Sequence, residues 1–105
     1  MSEWKQGQGY TVSRSYATGA DATITIAAVT GKKIAVLAIT GSNDKAAGLL
    51  TVTFGGSAVC TVAVGAAAFQ YRFDPPLVAG EAEAVVVAVD GTTASYLCLQ
   101  YAVVV

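Results

Sequence analysis

The sequence predicts an all-β fold, an antiparallel sandwich of about eight strands with jelly-roll-like character, spanning residues 10–105 and preceded by a short extended arm over residues 1–9. Three observations predict it. Alanine, valine and threonine dominate the composition, and the two β-branched types favour a pleated, half-buried surface over a helix. Apolar and polar residues alternate with a period of two in several short runs. Glycine, proline and aspartate separate those runs at fairly regular intervals, and no run shows helical spacing.

Each element follows from its local pattern. Residues 10–16 (YTVSRSY) form a first strand. Over residues 22–29 (ATITIAAV), Ile24 and Ile26 share one face and Thr23 and Thr25 the other, before a turn at Thr30-Gly31. Residues 34–40 (IAVLAIT) are apolar on both faces, as suits a central strand or one covered by another subunit. A solvated loop over residues 41–48 (GSNDKAAG) follows. In residues 49–54 (LLTVTF), Leu50, Val52 and Phe54 oppose Thr51 and Thr53, and Gly55-Gly56 closes a hairpin into residues 58–64. The run FQYRF sets Phe69, Tyr71 and Phe73 inward and Gln70 and Arg72 outward; Asp74-Pro75-Pro76 then ends the strand, because proline cannot donate to a ladder. Residues 83–89 and 94–104 flank the turn Asp90-Gly91-Thr92-Thr93, and Leu97, Leu99, Tyr101 and Val103 share one face of the last strand.

Composition excludes several functions. Only 12% of the 105 residues are charged, against 54% hydrophobic, whereas an ordinary soluble domain is about 25% charged. A monomer of this size should still expose roughly 5,500 Å². Thirteen charged side chains serve that surface poorly, so the expectation is a subunit covered by neighbours. A net charge of -1 argues against nucleic acid, which needs clustered Lys and Arg; the pair Lys32-Lys33 makes no patch. With no histidine there is no Ser-His-Asp or Cys-His nucleophile and no imidazole metal ligand. The expectation is a protein that is not an enzyme and carries no cofactor or metal. No apolar run approaches the roughly 20 residues that span a bilayer, and residues 1–9 (MSEWKQGQG) lack the apolar core of a secretory signal, so a chain made in the cytoplasm with no membrane partner is expected.

The remaining chemistry-bearing residues have ordinary explanations. Glu81 and Glu83 lie in a solvated turn with nothing to desolvate either carboxyl. Asp44 and Asp90 are single turn acids whose side chains can bond the local backbone. Glycines 7, 9, 31, 41, 55 and 56 match no phosphate-loop spacing. Cys60 and Cys98, within apolar runs, read as buried free thiols. The arm is different: Trp4, the one tryptophan, stands among polar residues as an anchor for a partner's pocket, the alternative being that it folds back on its own sandwich. Trp4, Lys5 and Tyr10 are its candidate partner-binding residues.

The segments ATITIAAVTGKKIAVLAITGS (22–42), LTVTFGG (50–56), FQYRFDPPLVAGEAEAVVV (69–87) and LCLQYAV (97–103) resemble those of small all-β virion structural proteins of tailed bacteriophages, of the head decoration or cement type. The resemblance covers most of the chain beyond residue 20 and lies in strands and turns, without any catalytic or ligand motif. It implies a virion protein on the capsid surface, a homotrimer whose partners are its own copies and the major capsid protein or another virion protein. A second expectation, of a different class, is a tail-fibre or baseplate module that binds a host receptor or glycan, with Tyr10, Tyr16 and Tyr96 as the candidate aromatics.

Overall fold

The structure, a computed structural model, describes residues 11–105. It contains eight strands and, among the described residues, no helix: β1 (Ser13–Gly19), β2 (Thr23–Ile26), β3 (Lys33–Ser42), β4 (Leu49–Phe54), β5 (Ser57–Ala63), β6 (Ala68–Val78), β7 (Val85–Val89) and β8 (Ser95–Val104). They form two antiparallel four-stranded sheets, here sheet A, ordered β1-β8-β3-β6, and sheet B, ordered β2-β7-β4-β5. Only β4 and β5 are consecutive neighbours; every other connection crosses between sheets. That order is the jelly roll, in which the first strand lies beside the last.

The core sits where the alternation placed it. Ile24, Ile34, Val36, Ile39, Leu50, Val52, Val85, Val87, Val89, Leu97 and Leu99 are buried between the sheets, with Phe54, Phe69, Tyr71, Phe73 and Tyr101 packed around them. Each fully buried Leu, Ile or Val contributes about 1.5–3 kcal/mol relative to exposure, so this set dominates the favourable side of folding. Val103 shares the inward parity of β8 but lies at the sheet end and stays 38% exposed. The Gly55-Gly56 turn closes the β4–β5 hairpin with both φ angles positive, +56° and +90°, the backbone of a two-residue turn that side chains resist.

Several boundaries depart from the sequence expectation, among them the ends of β3, which runs to Ser42 rather than Thr40, and of β7, which starts at Val85 rather than residue 83. In three further cases a ladder partner decides where a strand lies. Among the described residues the first strand, expected over residues 10–16, runs over Ser13–Gly19, since β8 pairs with it from Tyr101 back to Ser95. The strand expected over 22–29 stops at Ile26, whose partner Val85 is the first residue of β7. The prolines do not end β6. Its register against β3 jumps from Arg72 to Leu77, so residues 73–76 leave the ladder and the strand resumes beyond them. Being at a sheet edge, β6 tolerates proline there.

At the same level β3 carries one extra residue. Val36 pairs with Tyr101 and Ala38 with Gln100, which leaves Leu37 unpaired in a β-bulge. Leu37 packs on a second, outward apolar cluster of Ala35, Ala102 and Val104. The two irregularities together open a cleft of about 260 Å³ on the outer face of sheet A, lined by Leu37, Ala38, Arg72, Phe73, Asp74, Pro76, Gln100 and Val12.

Candidate functional site

Four loops meet at one end of the sandwich, and a single amide ties them together. Asn43 follows the last residue of β3 and is 7% exposed. Its Nδ2 donates to the carbonyls of Asp90 (3.0 Å), Gly65 (3.2 Å) and Lys45 (3.5 Å), and its Oδ1 accepts from Ser95 Oγ at 2.8 Å. The Ser95 hydroxyl also lies 3.3 Å from the Ala20 carbonyl, which brings in the β1–β2 turn. Gly48 and Gly91 are required beside this node, because a Cβ at Gly48 would collide with Asn43 Nδ2 and one at Gly91 with Ser95 Oγ and the Ala20 carbonyl.

Charge completes the clamp. The Asp44 carboxylate accepts three backbone N–H bonds from Thr92, Thr93 and Ala94, each 2.8 Å long. These donors, Ala94 first and then Thr92, hold its carboxyl below the ordinary 3.8. Lys45 Nζ lies 2.8 Å from Asp90 Oδ2, and that hydrogen bond, followed by the attraction of the charge, raises the lysine above its usual 10.5. The stretch expected as a solvated loop over residues 41–48 is neither all loop, since β3 runs to Ser42, nor simply solvated. Asp44 bonds its own backbone N–H as expected but also reaches across to the β7–β8 loop, and Asp90 reaches across to Lys45. No buried side-chain N or O atom among the described residues is left without a partner. The node rigidifies the loop end.

Trp4, Lys5 and Tyr10 lie outside the described residues. Glu81 is exposed, and Glu83 accepts from the Gly80 N–H at 2.6 Å in the β6–β7 connection, a turn contact. Cys60 and Cys98 are free and sit in different sheets; Cys98 is buried as expected, whereas Cys60, at the edge strand β5, is only partly so. No group of three or more Cys, Asp and Glu side chains able to hold a metal occurs among the described residues.

What distinguishes the molecule is the contrast between its two outer faces. No residue of β2, β4, β5 or β7 is charged. The pairing register arranges the outer face of sheet B in rows, Thr23–Ala88–Thr51–Thr61 and Thr25–Val86–Thr53–Ala58. Exposed Leu49 and Val59 extend this surface of methyl groups and hydroxyls. The strands of sheet A carry Arg14, Lys33, Arg72 and Asp74 instead, and its outer face carries a tyrosine pair. Tyr16 on β1 and Tyr96 on β8 are 60% and 42% exposed, with ring centroids 6.3 Å apart and planes tilted by 47°. The jelly-roll order puts their strands side by side, so two of the three expected aromatics come together and the third, Tyr10, lies outside the described residues.

No known protein family matches the chain, and no curated protein matches it either. Sequence reasoning missed Asn43 and the cleft. The Gly-Ser-Asn-Asp run marked a turn but held no sign of partners dozens of residues away.

Proposed function

We propose that this protein is a non-enzymatic structural protein of a bacteriophage virion, which decorates and cements the assembled head as a homotrimer. One observation carries the reading: in a chain poor in charge throughout, the strands of sheet B carry none at all, whereas those of sheet A carry four charged residues. A solvated sheet face ordinarily alternates polar and often charged residues outward, and single-sheet depletion of charge is the compositional mark of the buried centre of an interface. The rows of Thr, Val and Ala on sheet B are flat, short-chained and uncharged, so a neighbouring copy can approach them without desolvating an ion. In a ring of three, each copy offers two different patches, this face being one of them.

The mechanism is mass action. A protein that binds only the assembled shell stabilises each site by RT ln(1 + [L]/Kd), about 2.7 kcal/mol at a hundredfold excess over Kd, and a trimer multiplies the effect by bridging capsid subunits. The rigid loop end, clamped through Asn43, loses little entropy on docking, which favours such bridging. The expected partner residues Trp4, Lys5 and Tyr10 supply the attachment arm in this scheme.

Sedimentation of the purified chain, alone and with expanded DNA-free heads of its own phage, tests the reading. The expected result is a trimer that co-sediments with heads. Thr53→Lys and Val86→Lys, which place a charge at the middle of the sheet B face, should give a folded monomer. A wild-type monomer that ignores heads overturns the proposal.

A further inference from the structure

The outer face of sheet A has the opposite character to that of sheet B, and its register defines a second site. Three of its rows carry the site, and the next, Ala35 opposite Ala102, is buried in the apolar cluster around Leu37. Thr18, Tyr96 and Ser42 form the first; Tyr16, Cys98 and Thr40 the second; Arg14, Gln100, Ala38 and Arg72 the third. Neighbouring rows lie about 7 Å apart, two residues of strand rise. The third row ends in the cleft that the Leu37 bulge and residues 73–76 open, with Gln100, Arg72 and the carboxylate of Asp74 in its wall, so an anionic ligand group is placed over Arg14 and Gln100 rather than in the cleft.

From this arrangement we infer that the outer face of sheet A binds an acidic oligosaccharide. Two adjacent exposed tyrosines offer apolar ring faces with hydroxyl tips, the combination that suits the C–H face and rim hydroxyls of a pyranose. Thr18, Ser42 and Thr40 surround them with neutral hydrogen-bonding groups. One row further on, Arg14 stands opposite Gln100, so a sugar stacked on Tyr16 carries its neighbour's carboxylate over a guanidinium and an amide donor. Among the described residues neither Arg14 nor Arg72 has a carboxylate partner, since the one ion pair there joins Lys45 to Asp90. Two arginines on a chain of net charge -1 do not make a phosphate-binding surface. The inference does not depend on the proposed place in a virion, for it concerns the face opposite the proposed contact between copies.

Nuclear magnetic resonance titration of the full chain with trigalacturonic acid tests it, with the fully methyl-esterified trimer as the neutral probe. Expected are saturable shifts confined to β1, β8 and the cleft residues of β3 and β6. Binding should weaken about tenfold in Tyr16→Ala and in Tyr96→Ala, the loss of one aromatic contact each. It should weaken by about fivefold or more in Arg14→Gln and with the ester, where the charge-assisted bonds are gone. All three side chains being exposed or at the surface, thermal unfolding should be unchanged. Equal affinity for acid and ester overturns the acidic assignment. Shifts on sheet B, no shifts at millimolar probe, or loss of the oligomer in Tyr16→Ala overturn the site, the last by marking the face as a contact between copies.

Discussion

Ser95 Oγ donates to Asn43 Oδ1 across 2.8 Å in the buried interior of the loop end, joining residues 52 positions apart. With the Asn43 amide donating in turn to Asp90 and Gly65, one side chain holds three connections together and Ser95 adds the fourth. Removing the amide strands the Asp90 and Gly65 carbonyls and leaves the Ser95 hydroxyl with only its longer contact to Ala20. Asn43→Ala should cost about 3 kcal/mol, since a buried polar group left unpaired costs more than the bond it had contributed. That corresponds to a fall of about 15 °C in Tm for a domain of this size. Asn43→Asp is isosteric but turns the donor into a charged acceptor facing carbonyls, and should do at least as much harm at neutral pH. Urea unfolding of both variants checks this; a stable Asn43→Asp protein would show that the node does not clamp the loops.

Asp44 makes the same end sensitive to acid. Its folded-state carboxyl titrates below the ordinary 3.8, so its stabilising contribution is complete above that value and is lost as the pH falls through the folded one. Asp44→Asn should therefore be less stable than the parent at pH 7, with the gap narrowing below pH 3.8. Lys45 behaves in the mirror sense: its raised value means that its contribution is complete below 10.5 and disappears as the pH rises through the folded value. The Lys45–Asp90 pair is about half exposed, so screening keeps its worth small and Lys45→Met should change stability little. Denaturant midpoints measured across pH separate the two groups.

Two adjacent leucines test the burial argument. Leu50 is 2% exposed and faces the other sheet, whereas Leu49 is 44% exposed on the outer face. Leu50→Ala should cost about 3 kcal/mol through lost transfer energy and a cavity. Leu49→Ala should cost under about 1 kcal/mol, because half its surface is already in water. Equal costs by urea unfolding would place the chain in a different register on β4.

Most of this fold was legible because burial of one face writes a period of two into the sequence. Leu50, Val52 and Phe54 against Thr51 and Thr53 needed no further information, and the observed β4 has the expected bounds. The β6 continuation was illegible for the opposite reason: proline's missing donor matters only where a partner exists, and edge position is a property of the whole sheet. Asn43 looked like an ordinary turn residue because its partners lie 22, 47 and 52 positions away. Tyr16 and Tyr96 meet only because the first and last strands are neighbours, which local patterning does not encode.

The β-bulge at Leu37 gives the last prediction. Val36 faces the core, Ala38 faces outward and Ile39 faces the core, and the ladder with β8 is regular on both sides of the extra residue. Excising Leu37 therefore leaves every other side chain of β3 on its present face, and the strand should close into a continuous ladder. The loss is the partly buried leucine and its contacts with Ala35, Ala102 and Val104, about 1–2 kcal/mol by area. Excising Ile39 closes the same bulge differently: Leu37 takes the outward place and Ala38 is drawn into a fully buried site, which should add the cost of an Ile-to-Ala cavity, about 2–5 kcal/mol. A single-residue deletion inside a central strand is normally ruinous because it turns the whole strand over. Urea unfolding should thus rank the Leu37 deletion well above the Ile39 deletion, and the reverse order would mean that the bulge lies elsewhere on β3.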